Sequence, residues 1–64
     1  MKNYQICIQS YLFNNSDYRQ YDIYYYEGTS YDEVLEYAKK CIANWNKENN
    51  NSVIYNVYNV SICN

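Results

Sequence analysis

Polar and apolar residues alternate from Asn3 to Phe13. Tyr4, Ile6, Ile8 and Leu12 fall in one row, and Asn3, Gln5, Cys7, Gln9 and Tyr11 in the other. Alternation over such a length predicts a strand with one face buried. Asn14-Asn15-Ser16-Asp17 is a turn cluster, whose short polar side chains bond the local backbone. Residues 18–27 resume the alternation. Tyr21, Ile23 and Tyr25 form the row assigned inward, and Tyr18, Gln20, Asp22, Tyr24 and Tyr26 the row assigned outward. Two strands joined by a short turn make a hairpin.

The period then changes. Ser30-Tyr31-Asp32-Glu33 is a capping box: Ser30 accepts from the Glu33 amide, and Glu33 reaches back to the Ser30 amide. Tyr31, Val34, Leu35, Ala38, Cys41, Ile42 and Trp45 follow at helical spacing and form one continuous stripe. Asp32, Glu33 and Glu36 lie early and Lys39, Lys40 and Lys47 late, which suits the helix dipole. Glu48-Asn49-Asn50-Asn51-Ser52 stops the helix. Residues 53–63 predict a third strand of ambiguous parity, because Val53, Tyr55 and Val57 share one row and Tyr58, Val60 and Ile62 the other. A bulge near Asn56–Asn59 would turn both sets inward. The expected fold is α+β, a single β-β-α-β domain over residues 1–64. Its antiparallel sheet has order 2-1-3, with the helix packed on one face and nothing covering the other.

Composition sharpens this picture at one point, the uncovered face. The 64 residues include 11 Tyr, and the expected outer face carries Tyr11, Tyr18, Tyr24 and Tyr26 beside Gln20 and Asp22. Tyrosine suits a surface that is part buried and part wet, and it is prominent in binding hot spots. These six residues are therefore the candidate protein-binding site. The competing explanations are that tyrosine favours strands and that coding bias inflates it. Phe, Tyr, Met, Ile, Asn and Lys, with AT-rich codons, total 34 residues, whereas Gly, Ala, Arg and Pro total 4. A domain this small often needs a disulfide, a metal or self-association. A homodimer is expected, with two such faces packed together.

Charge and chemistry exclude more than they assign. Five basic and seven acidic residues give a net charge of −2, which disfavours a partner gripped by its phosphates. Exposed aromatics on a sheet do stack bases in RNA-binding modules, but here Lys2 and Arg19 stand against Asp17, Asp22 and Glu27. A small nucleotide held between protomers remains open. There is no histidine, so the usual general base and commonest metal ligand are missing. No catalytic group, cofactor or metal site is expected. Asp32, Glu33 and Glu36 read as a solvated helix start. Cys41 reads as a small core residue, and Cys7 lacks the cations or helix N-terminus that activate a thiolate. Three widely spaced cysteines read as free thiols of a reducing cytoplasm, a Cys7–Cys63 bridge being the lesser alternative. The N-terminal residues do not read as a signal peptide, and no apolar run approaches the length of a membrane span.

In size, order of elements, acidic character and AT-rich coding, the whole chain resembles the short β-β-α-β orphan proteins of phages and mobile elements of low-GC bacteria. That group includes anti-CRISPR proteins and other inhibitors of bacterial defence. The resemblance implies a non-enzymatic viral anti-defence inhibitor, acting in the host cytoplasm by occupying a surface of a host complex. It transfers no functional residue. The alternatives are an oligomeric sponge for a small signalling nucleotide and an antitoxin-like partner protein.

Overall fold

In the computed structural model, which describes residues 1–63, the first strand is the centre of the molecule. β1 (Lys2–Leu12) pairs antiparallel with β2 (Asn15–Gly28) on one side and with β3 (Val53–Ile62) on the other. α1 (Tyr31–Glu48) connects β2 to β3. The sheet order β2-β1-β3 and the β-β-α-β sequence of elements are those expected. Tyr4, Ile6 and Ile8 of β1 meet Val34 and Ala38 of α1 and Val60 of β3 in the core, where Val34 is wholly buried. Tyr31, expected on the buried stripe, is exposed.

The helix start matches the capping pattern with one change of partner. The Ser30 hydroxyl accepts from the Glu33 amide at 3.2 Å. The Glu33 carboxylate reaches past Ser30 to Thr29, accepting from its amide at 3.0 Å and from its hydroxyl. Just before it, Gly28 ends β2 against the helix. A Cβ there would lie 2.7 Å from Cγ2 of Val34 and 3.2 Å from Tyr26. At the far end the helix unwinds through Asn50 and Asn51, both at positive φ (53° and 59°), a conformation asparagine tolerates better than most residues. The Asn46 side-chain amide then clamps the return strand, donating to the Tyr55 carbonyl at 3.2 Å and accepting from the Tyr55 amide at 2.8 Å.

The ambiguous parity of β3 resolves as a bulge. Cys7 lies opposite Asn59, but Ile8 lies opposite Val57, leaving Tyr58 as the extra residue. Val53, Tyr55 and Val57 therefore share the helix side with Val60 and Ile62. Tyr58 is left 61% exposed, its ring edge-on to Tyr21.

The faces of β2 are the reverse of the expectation. Tyr4 pairs with Tyr26, Ile6 with Tyr24, Ile8 with Asp22 and Ser10 with Gln20. Opposed residues share a face, so Tyr26, Tyr24, Asp22 and Gln20 look towards the helix. Tyr21, Ile23 and Tyr25, assigned inward from the sequence, lie on the open side. The cause is at the hairpin. The turn is short, Phe13-Asn14, and the ladder shifts immediately after it: Leu12 pairs with Asn15 but Tyr11 with Arg19. Ser16, Asp17 and Tyr18 are looped out of the ladder. An odd number of extra residues exchanges the two faces of everything that follows. Neither Phe13 nor Asn14 has positive φ, so the turn is not of the primed type whose twist matches a hairpin. In the observed register Tyr26 stacks on Tyr37 (centroids 4.4 Å apart), and Tyr24 meets Trp45 at 5.8 Å.

Candidate binding surfaces

Two surfaces carry most of the exposed aromatic side chains. The first is the open face of the sheet. Its middle strand contributes Gln5, Cys7, Gln9 and Tyr11, all half-buried by their neighbours. Across Gln9 and Cys7 the rings of Tyr21 and Tyr58 meet edge to face, 5.0 Å apart, a preferred geometry for aromatic pairs. Gln9 donates to the Tyr21 hydroxyl at 3.0 Å and accepts from Arg19 at 2.9 Å, while the Arg19 guanidinium lies 4.8 Å above the Tyr11 ring. This chain of contacts fixes the polar end of the face. Beyond it Ile23 is 45% and Tyr25 69% exposed. Among the described residues, no element covers this side.

The second surface is a trench on the helix side. α1 packs most extensively on β3, so the row of β2 that looks towards the helix is only partly covered. Near the hairpin the trench opens into a hollow of about 430 Å³ lined by Ser10, Tyr11, Leu12, Tyr18, Gln20, Asp22, Val53 and Tyr55. Next to it is a narrower apolar cleft of about 140 Å³, walled by Ile6, Ile8, Tyr24, Tyr25, Tyr26, Tyr37, Ala38, Cys41 and Trp45. Trp45 also packs on Tyr55, at 5.4 Å. A hydrogen bond to Cys41, the charge of that thiol, burial and Tyr26, in that order, hold the Tyr37 hydroxyl above its ordinary value.

The six residues expected to form one site are thus divided. Tyr11 holds its ring on the open face under Arg19. Tyr18, Gln20 and Asp22 line the hollow, and Tyr24 and Tyr26 line the cleft. An open face rich in tyrosine exists, but its members are Tyr11, Tyr21, Tyr25 and Tyr58 with Ile23. The Asn15-Ser16-Asp17 run was the available signal for these. It is a bulge at the start of β2, with the Asp17 amide 3.4 Å from Asn15 Oδ1, rather than the turn itself.

Cys7, Cys41 and Cys63 are free and half-buried. Cys63 lies beside Asn3, its amide donating to the Asn3 carbonyl at 2.8 Å. Cys7 is further along β1, opposite Asn59, so the alternative bridge is not formed. Among the described residues, no three cysteine or carboxylate side chains gather as metal ligands. No helix among the described residues is long and apolar enough to cross a membrane. Comparison with family models, curated proteins and solved structures gave no match.

Proposed function

We propose that this chain is a small protein-binding module, without catalytic chemistry of its own, that engages a protein partner through the open face of its sheet. The observation that carries the reading is the exposed aromatic surface built on the Tyr21–Tyr58 pair and continued by Ile23 and Tyr25. Rings held by neighbours lose little entropy on binding, and tyrosines offer both apolar area and a hydroxyl. The Gln9–Arg19–Tyr11 contacts supply a pre-ordered polar rim. The narrower reading, an anti-defence inhibitor of phage or mobile-element origin, is supported by the resemblance in size, element order and coding bias.

A photo-crosslinking amino acid placed at Tyr25 or Tyr58 should capture one protein in the cells that make this chain. The same group at Lys40, on the exposed back of α1, should not. Tyr21→Ser should abolish capture from position 58. Equal capture from position 40, or capture indifferent to Tyr21→Ser, would remove the open face from consideration.

The hollow favours a second reading. Its volume falls in the range of small-molecule sites. Tyr18, Tyr55, Gln20 and Asp22 offer stacking surface and hydrogen bonds to a base or sugar, and no lysine or arginine lines it. A neutral nucleoside-like ligand fits this lining better than a phosphorylated one. A panel of nucleosides and cyclic nucleotides, read by thermal shift, separates the two, since a ligand stabilises by mass action.

A further inference from the structure

The two edges of the sheet are treated differently. At β3 the Asn46 amide occupies both main-chain groups of Tyr55, and the bulge at Tyr58 breaks the ladder. Edge strands are commonly protected in such ways. β2 is the longest strand, and its pairing with β1 is unbroken from Arg19 to Gly28. It has no proline or lysine, and among the described residues no element lies along its outer edge.

The phase of that edge follows from the hydrogen bonds. Tyr55 spends its main-chain groups on Asn46, so its opposite residue Ser10 must direct its own towards β2. Odd-numbered residues of β1 bond towards β3, as the contacts Cys63 N–H to Asn3 C=O and Phe13 N–H to Ser52 C=O confirm. Gln20, Asp22, Tyr24 and Tyr26 therefore use their main-chain groups on β1. Arg19, Tyr21, Ile23, Tyr25 and Glu27 present theirs, unpaired, to the outside.

We propose that β2 pairs antiparallel with β2 of a second copy of this chain, about a two-fold axis at Ile23, making one continuous six-stranded sheet. The axis stands perpendicular to the sheet, so both copies keep their open faces on the same side. The register is set by side-chain chemistry. Centred on Ile23, the open face places Ile23 opposite Ile23, Tyr21 opposite Tyr25, and Arg19 opposite Glu27, twice by symmetry. Centring on Asp22 sets two carboxylates against each other in a close, non-hydrogen-bonded pair. Centring on Tyr21 sets Glu27 opposite Asn15 and leaves Arg19 opposite Ile23. Only the Ile23 register joins opposite charges, and it lets all five outward-pointing residues exchange main-chain bonds. This inference does not rest on the protein-binding reading, because it uses the strand edge rather than the side chains of the face.

Sedimentation equilibrium of the full chain, from micromolar to millimolar concentration, should show a species of twice 7.8 kDa. In that species the amides of Tyr21, Ile23 and Tyr25 should exchange with deuterium slowly. Ile23→Pro removes an amide that β1 does not use, and proline is tolerated where an edge N–H faces outward. It should give a monomer with its helix signal intact. Arg19→Glu should weaken the dimer about tenfold or more, since two attractive cross-strand pairs become repulsive. Adding Glu27→Arg should restore it, which remains decisive if the proline variant fails to fold. Tyr58→Ser should leave the dimer unchanged while disrupting partner capture. A monomer at every concentration would overturn the proposal. So would a dimer with rapidly exchanging Tyr21, Ile23 and Tyr25 amides, as two sheets packed face to face would give. Failure of the double charge reversal to restore association would overturn the register.

Discussion

Glu33 joins the end of β2 to the first turn of the helix through one carboxylate. Bonds from the Thr29 hydroxyl and then the Thr29 amide hold it below its ordinary value of 4.5, slightly opposed by burial. A carboxylate with a depressed folded value stabilises the native state above its unfolded value, and loses that contribution as pH falls through the folded one. Stability should therefore fall below about pH 4.5, more steeply in the wild type than in Glu33→Gln, when thermal midpoints are followed by circular dichroism. Equal acid sensitivity in the two proteins would remove Glu33 from the account. Gly28 stands at the same junction for a steric reason. Gly28→Ala places a methyl 2.7 Å from a methyl of Val34, which is wholly buried and branched at Cβ. Relieving that overlap should cost about 1–3 kcal/mol, lowering Tm by about 4–8 °C for each kcal/mol in a domain of this size. An unchanged Tm would show that the strand end can move away from the helix.

The elements differed in how plainly the sequence announced them. The helix was legible because its stripe, its Ser30–Glu33 cap and its Asn-rich stop all agree, and β1 because its alternation is clean. The bulge in β3 was legible from a conflict, since both rows of the strand contain aliphatic residues that need burial. The faces of β2 were not. Both of its rows hold tyrosines, so pattern alone favoured neither, and an apparently ordinary turn concealed three looped-out residues. On β2 the membership of the open face was misread for that reason, with Tyr24 and Tyr26 exchanged for Tyr21 and Tyr25. Deleting Ser16, Asp17 and Tyr18 would leave Leu12–Asn15 and Tyr11–Arg19 as successive pairs of a regular hairpin. The shortened chain should keep Tyr24 against Trp45, detectable as a nuclear Overhauser contact. Contacts from Tyr25 to Trp45 instead would mean that Leu12–Asn15 and Tyr11–Arg19 do not pair in succession once the loop is gone.

The whole molecule is a thin plate of 39 × 20 × 13 Å, with two layers and one small core. A chain of this length has a total stability of roughly 3–10 kcal/mol, so the helix has little reason to persist once it leaves the sheet. Trp45 reports on the contact between the layers through Tyr24 and Tyr55, and circular dichroism reports on the helix itself. Their thermal transitions should coincide, as expected of a single cooperative unit. Separate midpoints would show that the two layers unfold independently.

Tyrosines in both rows of β2 have a consequence for how this protein can change over generations. Residues 16–18 are exposed, and insertions or deletions are best tolerated at such sites. A change of one residue there that kept the loop at three residues, and so moved the ladder by one, would present the opposite row to the helix. Tyr25 and Ile23 would then be offered to the core, and Tyr24 and Tyr26 to solvent. Either arrangement still buries aromatic or aliphatic surface and still displays rings outward. A single codon gained or lost in the hairpin could thus replace the whole recognition surface in one step, with the fold intact on either side of the change.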